Sequence, residues 1–160
     1  MPATKTSSKK LPSKTGNDNS AKGKNRVGIK YTDKSKGQPQ LTPIFESIKK
    51  LLLPYEKGTM KLTSSGGQVA LISKKPVEIL GRKRDELWFV GALVQKGYVG
   101  FYYMPVYGDP KVKELIRPEL LKCLKGKACF HIKKYDEEIL SQIKDALSVG
   151  YNIWHSRKWL

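Results

Sequence analysis

Apolar residues in TPIFESIKKLLLP fall on one side of a helix. Ile44, Phe45, Ile48, Leu51 and Leu52 repeat at i, i+1, i+4, i+7, i+8, Thr42 stands at the N-cap position, Pro43 at the first helical position, and Pro54 stops the run. After a turn-rich passage around SSGGQ, the runs QVALIS and KPVEI predict two short strands, the second starting beside Pro76 and followed by Gly81. The strongest signal is ELWFVGALVQKGYVGFYYMPVY, two apolar runs separated by Lys96-Gly97, the spacing of a two-residue hairpin turn. That turn sets Gln95 opposite Tyr98, Val94 opposite Val99, Leu93 opposite Gly100, Ala92 opposite Phe101 and Gly91 opposite Tyr102. Each strand glycine then faces a large side chain, so Tyr102 and Leu93 are expected to lie over the opposing backbone. Both faces of the hairpin are apolar, which places it at the centre of an antiparallel sheet with helices on at least one side.

Past Asp109-Pro110, Val112, Leu115 and Ile116 predict a short helical turn, and RPELLKCLKG predicts another that Gly126 closes. ACFHIKK alternates, with Ala128, Phe130 and Ile132 on a core face and Cys129, His131 and Lys133 on the other. Tyr135 and Asp136 read as N′ and N-cap of a final helix with the stripe Ile139, Leu140, Ile143, Ala146 and Leu147, and Gly150 lies beyond its predicted end. The expected fold is an α/β protein of the α+β type. It is a single compact domain over residues 41–150, an antiparallel β-sheet with a central hairpin flanked by N- and C-terminal helices.

Composition then separates the ends from the domain. The chain has 160 residues and a net charge of +17. Residues 1–40 hold ten basic side chains against two acids, whereas the remainder holds 21 against 12. With few apolar residues to offset ordering entropy, residues 1–40 predict a disordered basic tail. The C-terminal YNIWHSRKWL, residues 151–160, is an aromatic extension expected to dock back onto the domain, with self-association through Trp154 and Trp159 as the alternative. Two cysteines make no disulfide framework and no apolar run approaches the ~18 residues of a membrane span, so a cytoplasmic protein without membrane association is expected.

The chemistry of LKGKACFHIKK decides little by itself. Cys129 and His131 lack the paired spacing of a zinc site, two lone residues make no catalytic triad, and Lys125-Gly126-Lys127 lies at a helix C-terminus where the dipole opposes phosphate. No enzyme, cofactor or metal is therefore expected. The basic residues point to a non-enzymatic binding protein for an anionic ligand or partner. Lys74 and Lys75, then Arg82, Lys83 and Arg84 ahead of Trp88, and then Lys125 and Lys127 are the candidate binding residues. Nucleic acid is the alternative partner, bound weakly, without sequence preference, and helped by the basic tail.

Together KPVEILGRKRDELWFVGALVQKGYVGFYYMPVY, PELLKCLKGKACFHIKK and the terminal helix closely resemble the YdhG-like family, a domain of unknown function, over roughly residues 42 to 150. The resemblance implies a compact α/β domain with an antiparallel sheet. Some relatives are described as frataxin-like iron chaperones, which makes iron handling a further alternative. Such surfaces need clustered carboxylates, and the one cluster here, Asp136-Glu137-Glu138, also suits the start of a helix.

Overall fold

A computed structural model describes residues 31–160; residues 1–30, most of the predicted tail, lie outside the described residues. Helix α1 (Thr42–Leu52) continues from a 3-10 turn, Pro39–Leu41, so Leu41 takes the N-cap position expected for Thr42. It buries Ile44, Phe45, Ile48 and Leu52, as its periodicity requires. The strands are β1 (Met60–Ser65), β2 (Gln68–Ser73), β3 (Val77–Ile79), β4 (Arg82–Arg84), β5 (Leu87–Gln95), β6 (Tyr98–Tyr103), β7 (Leu124–Lys125) and β8 (Cys129–Ile132). Six of them form one antiparallel sheet in the order β1-β2-β5-β6-β8-β7, and β3 and β4 pair as a separate ribbon. The β5–β6 register is the one the Lys96-Gly97 turn dictates, from Gln95 opposite Tyr98 to Gly91 opposite Tyr102.

Three segments depart from expectation. Met60–Ser65 is an edge strand pairing with β2; with only Met60 and Leu62 apolar, it carries little strand pattern. After Tyr103 the chain leaves the sheet at Met104 and Pro105 and forms α2 (Met104–Gly108), where the aromatic run had suggested more strand. Helix α3 (Pro118–Lys122) ends early, and Leu124–Lys125 pairs with β8, so Gly126, at φ 74°, serves a hairpin turn rather than closing a helix.

Helix α4 (Glu137–Ser156) starts at its predicted N-cap, where the Asp136 carboxylate accepts from Glu138 N and Ile139 N at 2.9 and 3.1 Å. It does not stop at Gly150. The glycine lies inside the helix against Tyr103 and Pro105, whose approach leaves no room for a side chain, and Tyr103 Oη donates to Ala146 O at 2.6 Å. The C-terminal residues dock: Trp154 packs edge-on to Phe89 at 5.1 Å and to Trp159 at 5.6 Å, Arg157 binds Asp109, and Ser73 Oγ donates to the Trp159 carbonyl.

Both long helices contribute to the main core, α1 through Ile44, Phe45 and Ile48, and α4 through Ile143, Ala146, Leu147 and Trp154. The sheet meets them with Val69, Leu71, Phe89, Ala92, Val99, Phe101 and Phe130. The N-terminal boundary also moves. Residues 31–38, assigned by composition to the tail, hold the β5–β6 turn: Tyr31 Oη donates to Val94 O, Gln38 Nε2 to Gln95 O, and Gly97 N donates to Gln38 Oε1. Side-chain bonds to loop groups carry no apolar pattern, so composition alone could not detect them.

Candidate functional site

The opposite face of the sheet has its own small cluster. Ala70, Trp88 and Leu93 are buried there, with Tyr31, Ile72, Tyr102 and Met104 packed against them, and no residue of α1 or α4 takes part. A bulge creates its centre. Between Leu71 and Ile72 of β2 the partners on β5 jump from Val90 to Trp88, so Phe89 is the extra residue. Phe89 and Val90 both join the main core, and Trp88 is turned to the other face, beside Gly91. A Cβ on Gly91 would sit 2.6 Å from the Trp88 ring, and one on Gly100 would sit 2.9 Å from the Tyr102 ring. The glycines do admit large side chains over the backbone, but these are Trp88 and Tyr102 from the same strands, rather than Tyr102 and Leu93 from across the hairpin.

The result is a band of four rings. Trp88 and Tyr102 stack at 5.6 Å, and Tyr98 and His131 stack at 3.8 Å with their planes 15° apart. Register places the rest, because directly paired residues share a face. Thr63, Ala70, Gly91, Tyr102, Cys129 and Lys125 form one row across all six strands, and Lys61, Ile72 and Trp88 form another. Register and alternation place Lys61, Lys125 and, one residue past β8, Lys133 on this face, together with Lys74 and Glu86 just beyond Ile72 and Trp88, which pair with each other. Burial lowers the His131 pKa, and Lys125 and Lys133 lower it further, so two of these lysines lie within electrostatic reach of the Tyr98–His131 stack.

The basic residues singled out from the sequence do not all converge. Lys74 is paired with Glu86, and Lys75 Nζ donates to the main-chain oxygen of Leu160 at 3.0 Å. Arg82, Lys83 and Arg84 are exposed on β4, outside the six-stranded sheet. Trp88 does not stand ready beside them as a platform: it is 7% exposed, and its indole N–H is satisfied by Val90 O at 3.0 Å. Lys127 reaches over the Tyr107 ring of α2, at 5.8 Å. Of these basic residues Lys125 lies on the aromatic face free of an acidic partner, and Lys74 lies at the end of that face paired with Glu86. Tyr98 and Tyr102 were not singled out, although the hairpin register combined with the alternation of ACFHIKK places both on the side of Cys129, His131 and Lys133.

Burial raises the pKa of Cys129 and of Cys123, and Asp136 and Glu119 push Cys123 up further, so neither thiol is activated at neutral pH. Among the described residues no three His, Cys, Asp or Glu side chains come together in a way that could hold a metal ion. The Asp136-Glu137-Glu138 acids are engaged in the fold: Asp136 caps α4, while Glu138 accepts from Arg117 and from the buried Gln142.

The tyrosines make the fold sensitive to alkali. Burial, with the Cys129 thiol adding to it, pushes Tyr102 up to about 12, and burial raises Tyr103 further still. An unfolded tyrosine ionises near pH ~10, so the stability these protons contribute is complete below that pH and is lost as pH rises toward the folded values. In a near-ultraviolet titration of folded protein, at least these two of the eight tyrosines should stay un-ionised at about pH 11 until the protein unfolds. Reversible ionisation of all eight near pH ~10 would contradict the packing around them.

Among the described residues no helix is long and apolar enough to cross a membrane. No family model, curated protein or solved structure matches this chain.

Proposed function

We propose that this protein is a non-enzymatic binding protein for a polyanionic partner, which it takes on the sheet face that α1 and α4 leave open. The observation that carries the reading is that this face combines a four-ring aromatic band with Lys61, Lys125 and Lys133, while Glu86, the acid that register places here, is paired with Lys74. A surface on which lysines outnumber carboxylates, with its acid already paired, attracts phosphate or sulfate groups. The YdhG-like resemblance adds no activity to this reading. The iron-chaperone alternative lacks a donor set among the described residues.

The test is binding of heparin and polyphosphate at ~50 and ~200 mM salt, to the full chain and to a chain beginning at residue 31. A cut at residue 41 would remove Tyr31 and Gln38 and with them the anchors of the β5–β6 turn. Both proteins are expected to bind, with affinity falling steeply in salt. Replacing Lys125 and Lys133 together by alanine should reduce the salt slope by about two. Binding by the full chain alone would assign the polyanion to residues 1–30 and remove the sheet face from the proposal.

A further inference from the structure

We infer that the polyanion is a single-stranded nucleic acid whose bases stack against the Tyr98–His131 pair while its phosphates meet Lys125 and Lys133, an inference that rests on the polyanion reading of this same face. A featureless polyanion needs only the lysines. The rings are the unexplained feature: Tyr98 and His131 are half-buried, stand parallel at 3.8 Å, and belong to neither hydrophobic cluster. Packing the core therefore does not account for them. A parallel pair of rings at the sheet surface offers π-faces that every base can meet, which gives stacking without sequence preference.

Dimensions and topology favour single strands over duplex. Tyr98 and Tyr102 are four residues apart on β6, a span of about 13 Å, and aromatic residues on the sheets of RNA-binding domains stack two or three bases. In a duplex the base faces are already occupied by their neighbours, and a broad sheet cannot enter a groove as an isolated helix or ribbon does. The charge arrangement agrees: Lys125 and Lys133 both act on His131, whereas Glu86, on the same face beyond Trp88, is paired with Lys74. Residues 1–30 add eight basic side chains against one acid. They join the described chain at Tyr31, which packs against the Ala70, Trp88 and Leu93 cluster on this side of the sheet.

The experiment uses the full chain, a fluorescent oligo-dT of about 12 nucleotides, a blunt duplex of the same length, and heparin as a polyanion without bases. The oligo-dT is expected to bind at least about tenfold more tightly than the duplex. Tyr98→Ala should weaken oligo-dT roughly tenfold while leaving heparin within about twofold, and Tyr98→Phe, which keeps the ring, should retain oligo-dT binding. If Tyr98→Ala does not fold, His131→Leu carries the same test from the other ring. Equal affinity for duplex and single strand, or equal losses of oligo-dT and heparin in Tyr98→Ala, would overturn base stacking and leave the polyanion reading standing. Absence of both oligo-dT and heparin binding would overturn the two together.

Discussion

Replacing Trp154 by alanine is expected to cost about 3–5 kcal/mol, the range for emptying a large buried aromatic site, and to lower the melting temperature by roughly 10 °C. Trp154 is 5% exposed, packs edge-on to the fully buried Phe89 and to Trp159, and ties the end of α4 to β5. The cavity would open where three aromatic rings meet, so neighbouring side chains have little freedom to collapse into it. Deleting residues 151–160 removes Trp154 and also the Arg157–Asp109 and Ser73–Trp159 contacts, so the loss should be at least as large. Thermal melts of the two variants check this. A stable truncated domain with an altered oligomeric state would instead mark these aromatics as a self-association patch.

Gly150→Ala is expected to lower stability by about 1–3 kcal/mol, the usual cost of overpacking a tight core. The sign is informative, because a glycine-to-alanine change inside a helix ordinarily gains up to ~1 kcal/mol from propensity. Here the new methyl would lie 2.8 Å from Pro105 Cγ and 3.0 Å from Tyr103 Cε2, and closer still to the Tyr103 hydroxyl. Tyr103 cannot retreat: it is fully buried, and its hydroxyl is bonded to Ala146 O. Adding Tyr103→Phe removes the nearest clashing atom, so the double variant should lose less than the sum of the singles, by about 0.5 kcal/mol or more. A rise in melting temperature on Gly150→Ala would show that α4 does not approach Tyr103 this closely.

These two sites mark where local reading stopped. Gly150 followed a clear helical stripe, and from the sequence a glycine there is most simply the helix end. Its actual role depends on Tyr103, 47 positions earlier in the chain. Trp154 and Trp159 promised apolar surface in need of cover, but their cover, Phe89 and the end of β2, lies far away in sequence. Gly126 was displaced for a related reason: a two-residue strand has too little pattern to be seen before its partner β8 is in place.

The candidate site divides in the same way. From the chain alone came the helix faces of α1 and α4, the Asp136 cap, the β5–β6 register and the alternation of β8, because periodicity and turn chemistry act over a few neighbouring residues. The paired glycines of that hairpin were also recognisable as places where large side chains cross the backbone. Only the tertiary structure decided which side chains those are. A one-residue bulge at Phe89 inverts the facing of everything before it on β5, and no local pattern announces it. The strand order then brings β8 against β6, so that His131 meets Tyr98 and Lys125 joins the row of Tyr102. It also leaves Arg82, Lys83 and Arg84, the most conspicuous basic run in the folded part of the sequence, on a separate ribbon. Charge along a chain is additive and can be counted, whereas convergence on one surface depends on long-range strand pairing, which a list of residues does not contain.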